Sequence, residues 1–392
     1  MLKLPEKLDA IIIGAGPAGT ACSKKLAENG FSVKVYDRRA EIGNPKRCGE
    51  GLSELSQDVL GKIPERCIAQ KIKGAILYAP NGKTSEIILE TGGFVLERKV
   101  FDKWLAEEAI KAGAEIRANT FISNLIKDND YFSGVKGEFM GEEFEEKARM
   151  IICATGAESP LRKQALGTFS QLNLVDSCLQ YEMSGIEINP DFIHIYFGNE
   201  IAPRGYAWIF PKGNSRANVG VGVIPGQKPA KFYLERFVKE TPEIKKGSII
   251  EVNCGCVPVG GLLKDMVTNG FLVCGEAAHH VNPAHGGGIK EAVISGQLAA
   301  DVISDCLKKN DVSKKALSKF NDLWWEKRGN HLKTVEKFRE ILEKLSDEDF
   351  NDLVDAIKPE DIIQFSRGSK MSILAKALMR KPRLIGLARH LL

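Results

Sequence analysis

The segment Gly14-Ala15-Gly16-Pro17-Ala18-Gly19 constrains the fold of this chain more than any other. It follows the apolar run Leu8 to Ile13 and opens a segment of helical periodicity that stops at Gly30. In such a pattern the first glycine allows a tight turn, the second lets the backbone approach a pyrophosphate, and the third lets helix and strand pack closely. The sequence therefore predicts a strand, a turn and a helix whose N-terminus faces a dinucleotide.

A second strand and an acid complete this unit. The segment Phe31 to Tyr36 alternates between apolar and polar residues and ends at Asp37. Asp37 comes about 20 residues after the glycines, where an acid is placed to bind a pair of ribose hydroxyls. Strand, glycines, helix, strand and acid occur in the required order, which favours dinucleotide binding over an ordinary glycine turn.

A second glycine-containing turn lies late in the chain, after the buried strand Phe271 to Cys274. The strand runs into Gly275-Glu276, and a loop then leads to glycines 286–288, which open a helix predicted to end at Leu307. The free N–H groups of such a helix start suit a flavin carbonyl or a pyrophosphate, and Glu276 can accept a hydrogen bond from a ribityl chain. Because FAD spans a whole domain, two separated elements of this kind favour FAD over NAD.

The segments between these motifs indicate an α/β fold with a split domain. Parallel-type strands recur at the start, in the middle and late in the chain, whereas residues 172–259 show the strand-and-turn pattern of an antiparallel sheet with one helix. We expect a Rossmann-like FAD-binding domain built from residues 1–70, 99–168 and 264–310. An α+β substrate domain, residues 71–98 and 169–263, is inserted into it, and residues 311–392 form a helical C-terminal region.

Length and composition narrow the class of protein. A chain of 392 residues is too long for a single hydrophobic core of ordinary size, so we expect two or three substructures. Its net charge of +4 does not point to nucleic acid, and no stretch reaches the roughly 18 apolar residues of a membrane span. The N-terminus enters a strand without the apolar core of a signal peptide, so we expect a cytoplasmic protein. Its nine cysteines, including Cys254 and Cys256, are expected to be thiols there.

Two further motifs carry a family resemblance. Arg47-Cys48-Gly49-Glu50-Gly51 and the segment PRGYAWIFP at residues 203–211 resemble the archaeal geranylgeranyl reductase family, the digeranylgeranylglycerophospholipid reductases. The two glycine motifs and their order resemble the wider p-hydroxybenzoate-hydroxylase type of flavoprotein, within which this family falls, and the resemblance covers about residues 8 to 340. The resemblance implies FAD as cofactor and saturation of isoprenoid double bonds in membrane-lipid precursors. It also implies an isoprenoid lipid substrate and an external electron donor.

The resemblance further implies the residues of both sites. The FAD site would be lined by Ala18, Asp37, Cys48, Gly49, Gly51, Arg98, Ile122, Glu276, Gly288 and Ile289, beside the motif glycines Gly14, Gly16 and Gly19. The lipid pocket would be bordered by Tyr206, Trp208 and Phe210, which alternate along one strand and so share a face. An alkene offers no hydrogen-bonding group, so an apolar wall suits it. The same aromatic residues also suit a core between the sheet and the flavin domain.

Cys48 is the candidate catalytic residue. A reduced flavin delivers a hydride to one alkene carbon, and the other carbon must receive a proton. Cys48 lies in a loop expected to approach the flavin, where it would relay a proton or position the alkene. A small residue packed against the flavin ring is the other interpretation of this position.

Some positions depart from the wider flavoprotein pattern or carry titratable groups. Glu276 stands where many relatives have Asp, and Thr155 stands where the family usually has Asp. In the hydroxylases that second Asp supports NAD(P)H contacts, so its absence leaves ferredoxin or a deazaflavin beside NAD(P)H as electron donor. His279, His280 and His285 are expected to contact the flavin or each other rather than a metal, because no closed ligand set accompanies them.

The C-terminal tail is basic and amphipathic. After Asp361 the chain has no acidic residue, and basic and apolar side chains intersperse: Arg367, Lys370, Lys376, Arg380, Lys381, Arg383 and Arg389 with Ile373, Leu374, Leu378, Leu384, Ile385 and Leu391. Such a tail suits an anionic membrane surface, which would make the protein peripheral at the inner face of the membrane. A helix packed on the domain or on a partner copy is the alternative.

Two other functions agree with a flavin fold. A flavin monooxygenase would hydroxylate a small or apolar substrate, and a quinone-linked electron-transfer flavoprotein would pass electrons to quinones. Oxygen incorporation and rapid flavin reoxidation by quinone are the observations that separate these two classes from a prenyl reductase.

Overall fold

The computed structural model of the chain describes residues 8–168, 170–226, 228–358, 361 and 378–385. In these ranges the strands, in chain order, are β1 (Leu8–Ile13), β2 (Val33–Tyr36), β3 (Gly51–Ser53), β4 (Ile68–Tyr78), β5 (Thr84–Leu96), β6 (Glu115–Arg117), β7 (Thr120–Asp128), β8 (Tyr131–Phe139), β9 (Glu142–Cys153), β10 (Val175–Ser184), β11 (Phe192–Tyr196), β12 (Tyr206–Pro211), β13 (Arg216–Val223), β14 (Ser248–Pro258), β15 (Val267–Thr268) and β16 (Phe271–Val273). The helices are α1 (Pro17–Glu28), α2 (Gln57–Leu60), α3 (Arg98–Lys111), α4 (Pro160–Leu166), α5 (Ala230–Glu240), α6 (Ile289–Lys308), α7 (Lys314–Leu317), α8 (Lys319–Trp324), α9 (Asn330–Leu342) and α10 (Asp347–Ala356).

The first sheet is built on the N-terminal strand–helix–strand unit. Its order is β15-β16-β9-β1-β2-β6, with β8 paired to β9 and β7 to β8. Strands β1, β2, β6, β9 and β16 run parallel, while β7, β8 and β15 pair antiparallel. Leu26 of α1 and Ile303 of α6 belong to the same buried cluster as Ile12 of β1. The buried parallel strands confirm the predicted α/β class.

The second sheet has the order β14-β10-β13-β12-β11-β4-β5-β3. Its pairings are antiparallel except that β11 runs parallel to β4. Helix α5 lies on one face, where Leu234 and Phe237 pack with Val219 and Val221 of β13. The opposite face carries Trp208 and borders a large cavity.

Some boundaries differ from the sequence expectations. Helix α6 begins at Ile289 rather than at Gly286, because residues 282–288 form a turn. In this turn the Gly286 N–H donates to the Asn282 carbonyl, and Gly286 has a φ of 69°. Strand β3 and the first residues of β4 belong to the second sheet although they precede residue 71. The domain boundaries themselves stay a prediction.

The C-terminal part is helical through α9 and α10. Among the described residues, no helix is long and apolar enough to cross a membrane. In the segment 378–385, Leu378 and Leu384 are buried in one cluster with Leu353 of α10. Basic side chains of this segment pair with acids: Arg380 with Asp361, Lys381 with Asp355, and Arg383 with Glu348 and Asp349.

The segment 378–385 therefore packs on the body of the protein, as the alternative interpretation of the tail expects. The remaining tail residues that carried the membrane prediction lie outside the described ranges: Arg367, Lys370, Lys376, Arg389, Ile373, Leu374 and Leu391.

Candidate active site

A cavity of about 1110 Å³ is lined by both sheets and by residues of the C-terminal helices. All the residues predicted for the FAD site and the lipid pocket border it except Gly19, which is buried within α1. The fold thus brings together side chains and backbone from positions 14 to 289 of the chain.

The first glycine motif forms the start of α1 at the cavity wall. Gly16 is the N-cap residue and no side chain caps the helix, so its first N–H groups stay open to a ligand. A Cβ at Gly16 would meet nothing within 4 Å, whereas a Cβ at Gly19 would lie 1.9 Å from the Gly14 carbonyl oxygen. Gly16 therefore leaves room for a ligand, and Gly19 is required for packing of helix on turn.

Asp37 follows β2 and lies beside this turn. Its Oδ2 accepts the Ala15 N–H at 2.8 Å, and its Oδ1 accepts the Arg39 N–H at 2.9 Å. The carboxylate thus braces the glycine turn, a contact that the sequence analysis did not predict. Each carboxylate oxygen has a second lone pair, so Asp37 can also accept hydrogen bonds from ligand hydroxyls in the cavity.

The second glycine motif places Glu276 and the start of α6 on the same cavity. Gly288 caps α6 without a side-chain hydrogen bond, so the N–H of Ile289 stays open. Burial raises the pKa of Glu276 to about 7, although the Ala157 N–H and the charge of Arg98 act against that rise. The carboxyl of Glu276 therefore titrates near neutral pH and can donate or accept a hydrogen bond there.

The loop that carries Cys48 is held by side chains of the second sheet. Gln180 donates to the Cys48 carbonyl at 3.3 Å, and Asn218 donates to the Gly49 carbonyl at 3.2 Å. The Cys48 Sγ accepts the Glu50 N–H at 3.2 Å. Cys48 thus borders the cavity within a turn whose carbonyl groups are fixed.

The other predicted residues of this wall have structural partners. Arg98 binds the Asp102 carboxylate with two hydrogen bonds of 2.7 and 2.9 Å, and Ile122 lies on β7. A Cβ at Gly49 or Gly51 would lie 3.0 or 3.1 Å from the Phe210 ring. The two glycines therefore let the aromatic ring pack closely against the loop.

Tyr206, Trp208 and Phe210 form a row on β12 along the cavity. The ring centroids are 5.8 Å apart for the first pair and 6.2 Å apart for the second. The Tyr206 hydroxyl donates to the His285 carbonyl at 2.7 Å, and the Trp208 Nε1 donates to Gln180 at 3.0 Å. These polar atoms are thus satisfied, and the rings present an apolar surface to the cavity.

A large apolar part of the wall was not predicted from the sequence. It comes from β4, β5, β11, α9, α10 and adjoining residues: Leu77, Ile87, Leu89, Ile193, Ile195, Phe197, Phe338, Leu342, Phe350, Leu353, Val354 and Ile357. The rings of Phe197 and Phe350 stack with centroids 5.5 Å apart. In the sequence these residues have the periodicity of ordinary core elements, so no local signal distinguishes them.

The structure places two of the three histidines away from the cavity. His279 hydrogen-bonds to Ser170 at 2.7 Å, and His280 stacks on Trp324 with ring centroids 3.7 Å apart. Neither borders the cavity, whereas His285 does. Burial lowers the pKa of His279 to about 4 and also lowers that of His280, so both are neutral internal side chains.

Thr155 borders the cavity, and its hydroxyl donates to Ser159 at 2.8 Å. All nine cysteines are free thiols, and Cys254 and Cys256 are exposed on β14. In the parts of the chain that the structure describes, no group of three or more His, Cys, Asp or Glu residues could hold a metal ion.

Comparisons with known proteins agree with this geometry. Residues 175–257 match the family model of the geranylgeranyl reductase catalytic domain, and residues 8–162 match that of the pyridine nucleotide-disulphide oxidoreductases. A digeranylgeranylglycerophospholipid reductase of Methanopyrus kandleri is 37% identical, covering 98% of this chain and 100% of its own length.

Solved structures have the same fold. A geranylgeranyl bacteriochlorophyll reductase-like protein of Thermoplasma acidophilum aligns with a TM-score of 0.90 at 33% identity, covering 99% of this chain and 100% of its own. The myxobacterial chondrochloren halogenase aligns with a TM-score of 0.69 at 20% identity, covering 84% and 82%, which is a likeness of fold alone. On these comparisons, this chain belongs to the geranylgeranyl reductase family.

Proposed function

We propose that this chain is an FAD-dependent reductase that saturates geranylgeranyl double bonds of archaeal ether-lipid precursors. The observation that carries the proposal is a single cavity that joins two uncapped helix N-termini, at Gly16 and Gly288, to an extended apolar wall. The helix N-termini suit the phosphates of a dinucleotide, and the apolar wall suits a prenyl chain. The relative from Methanopyrus kandleri is named for the reduction of a lipid with such prenyl chains.

The residues present fit FAD. The N-terminus of α1 at Gly16 would receive the pyrophosphate, Asp37 the ribose hydroxyls and Glu276 the ribityl chain. The N-terminus of α6 at Gly288 would face a carbonyl of the flavin ring. When bound and reduced, FAD supplies the hydride for the alkene.

The chain's own side chains would exclude water, orient the alkene and provide a proton. The aromatic row and the apolar wall would exclude water and orient the alkene. An alkene cannot form hydrogen bonds, so an apolar lining suits it. We propose Cys48 as the residue that relays the proton or positions the alkene. The Cys48→Ser side chain can still donate a proton, whereas that of Cys48→Ala cannot. If Cys48 relays the proton, the serine variant should reduce the prenyl lipid faster than the alanine variant.

The electron donor is proposed to be ferredoxin or a reduced deazaflavin ahead of NAD(P)H. Thr155 replaces the Asp that supports NAD(P)H contacts in related hydroxylases, and its hydroxyl is already bonded to Ser159. Anaerobic reduction of the bound flavin by each donor tests this preference. Faster reduction by NAD(P)H than by the other donors would contradict it.

A peripheral membrane contact, at the inner face of the membrane, is proposed for the tail residues outside the described ranges. The basic residues of the segment 378–385 pair with Asp361 and with acids of α10, which makes them poor candidates for lipid headgroups. The contact would therefore depend on Arg367, Lys370, Lys376 and Arg389.

The proposed function is tested by mass spectrometry of the lipid product. Chemically reduced holoenzyme is incubated without oxygen with an unsaturated prenyl lipid, and the lipid mass is compared with that from a flavin-free control. A gain of two hydrogens per double bond supports the proposal, and unaltered lipid contradicts it. A monooxygenase would instead add oxygen in air, and a quinone-linked protein would reduce quinone with no change in the lipid.

A further inference from the structure

A cluster of six charged side chains, four of them buried, lies beside the Cys48 loop. We call it the buried charge cluster, and its members are Lys46, Glu50, Glu97, Glu182, Lys212 and Arg216. Lys212 Nζ lies 2.7 Å from Glu50 and 2.9 Å from Glu97, and Lys46 pairs with Glu182. Lys46 also lies 3.6 Å from Glu251, which pairs with Lys99, so cations and anions here are equal in number. The cluster therefore ties residues 46 and 50, on either side of Cys48, to the second sheet.

Between these two anchors, amide side chains hold the loop. Gln180 is 4% exposed; its Nε2 donates to the Cys48 carbonyl at 3.3 Å, and its Oε1 accepts the Trp208 Nε1–H at 3.0 Å. Asn218, which is fully buried, donates to the Gly49 carbonyl and to the Glu50 carboxylate. Gln180 thus links the Cys48 loop to the aromatic row by hydrogen bonds, in addition to the packing of Phe210 on Gly49 and Gly51.

We propose that Gln180 is a positioning residue that fixes Cys48 relative to Trp208. The position needs one donor and one acceptor on the same side chain, which glutamine has and which leucine or an ionised glutamate lacks. Without Gln180, a partly buried carbonyl and a buried indole N–H would lose their partners, and leaving them unpaired costs free energy that a shift of the loop can relieve. The loop would then move even though its anchors at residues 46 and 50 stay in place.

This inference deepens the proposed function and rests on it only for the effect on turnover. If Cys48 acts on an alkene that borders Trp208, a displaced loop slows the chemical step and leaves the apolar wall unchanged. Gln180→Leu is therefore expected to lower kcat for prenyl reduction by about fivefold, the effect of losing the hydrogen bond to the Cys48 carbonyl, with KM for the lipid within about twofold of wild type.

The positioning itself is measured by alkylation of Cys48 with iodoacetamide in the FAD-loaded enzyme, followed by peptide mass spectrometry. Cys254 is exposed on β14 and borders the same cavity, so its labelling rate reports general access to the cavity and separates it from movement of the Cys48 loop. The matched control is Gln297→Leu, because the Gln297 amide also donates to a loop carbonyl, that of Val59, at 3.1 Å. In Gln180→Leu we expect Cys48 to react about fivefold faster than in wild type, with Cys254 unchanged, and in Gln297→Leu neither rate to change.

Cys48 labelling within twofold of wild type in Gln180→Leu overturns the proposal, whatever happens to turnover. Should Gln180→Leu not fold, Trp208→Phe decides instead, because it removes the N–H that orients Gln180 while keeping an aromatic ring. Faster Cys48 labelling in that variant supports the proposal and an unchanged rate overturns it. Because labelling requires no lipid, failure of prenyl reduction by the wild-type enzyme is a separate result that defeats only the proposed function.

Discussion

The ammonium of Lys212 lies 2.7 Å from the carboxylate of Glu50, and neither side chain exposes any surface. Burial alone would raise the pKa of Glu50, but the charges of Lys212 and Lys46 outweigh burial and hold this pKa below its usual value. Glu50 follows Cys48 by two residues, so the ion pair joins the candidate catalytic loop to the second sheet.

Removal of Lys212 should destabilise the protein strongly. Lys212→Met leaves buried carboxylates without their cation, so we expect the free energy of unfolding in urea to fall by about 3 kcal/mol. The control is Lys71→Met, which breaks an ion pair with Glu65 whose side chains are 65% and 74% exposed. That change should lower stability by less than about 0.5 kcal/mol. Equal effects of the two substitutions would contradict the buried pairing.

Glu276 should make the stability of the flavin-free protein fall as pH rises. Folding raises the pKa of this acid from 4.5 to about 7. Below pH 4.5 the acid therefore does not lower the free energy of unfolding, and above about pH 7 it lowers it by the full amount. Glu276→Gln should therefore gain about 2 kcal/mol relative to wild type between about pH 5 and about pH 8, a figure reduced to allow for solvent in the cavity.

The measurement is urea unfolding of wild type and variant at a series of pH values. The difference between the two proteins isolates Glu276 from the buried histidines, whose lowered pKa values act in the opposite direction. Glu158→Gln removes a half-exposed acid on the same cavity and serves as control. A Glu276→Gln difference that is constant with pH would show that this carboxyl is not desolvated.

Replacement of Gly16 by alanine should weaken FAD binding, whereas replacement of Gly19 by alanine should destabilise the protein. A Cβ at Gly16 has free space within the protein, so Gly16→Ala should fold normally but bind FAD at least about tenfold more weakly, about 1.4 kcal/mol. A Cβ at Gly19 would collide with the Gly14 carbonyl, so Gly19→Ala should lose about 1–3 kcal/mol of stability even without FAD. FAD titration and thermal unfolding separate the two effects. Unaltered FAD binding by Gly16→Ala would argue against a pyrophosphate at this turn.

The apolar wall should govern lipid affinity and not flavin affinity. Ile195 borders the cavity on β11, and Ile195→Gln would place an amide without a partner against a prenyl chain. We expect KM for the lipid to rise about tenfold with FAD affinity unchanged. Ile250→Gln, on a side chain that is 57% exposed on β14, is the matched control and should change neither. If KM stayed the same in Ile195→Gln, the prenyl chain would lie elsewhere.

The basic residues of the C-terminal tail should fall into two groups, one that binds the membrane and one that binds the rest of the protein. Replacing Arg367, Lys370, Lys376 and Arg389 by Gln should weaken sedimentation with anionic liposomes, by roughly 1 kcal/mol for each basic residue at the surface. Replacing Arg380, Lys381 and Arg383 by Gln should instead lower thermal stability, because these residues pair with Asp361 and acids of α10. Unchanged liposome binding by the first variant would contradict the membrane proposal.

Much of the fold could be predicted from local signals. The glycine motif predicted β1, α1 and β2 because each of its three glycines is required for a different steric reason. In the structure, Gly16 leaves room for a ligand and Gly19 allows the helix to pack on the turn. The alternation at Tyr206, Trp208 and Phe210 correctly predicted a row on one face of a strand. The start of α6 was misplaced because glycines 286–288 suit both a helix start and the turn that precedes it.

The parts that could not be predicted depend on contacts distant in sequence. Ile195 and Phe350 meet only when β11 and α10 pack together, and each has the periodicity of an ordinary core residue. The ion pair of Lys212 with Glu50 joins residues 162 positions apart. His279 and His280 turned inward because internal partners, Ser170 and Trp324, were available to them, which adjacent sequence does not reveal.

The most direct test of the account follows the flavin itself. Holoenzyme that has been reduced chemically is mixed without oxygen or quinone with an unsaturated prenyl lipid, and the flavin absorbance is recorded. We predict that the flavin is reoxidised at a rate that depends on lipid concentration, with one flavin oxidised for each double bond saturated. A flavin that stays reduced with the lipid and is reoxidised only by added oxygen or quinone would contradict it.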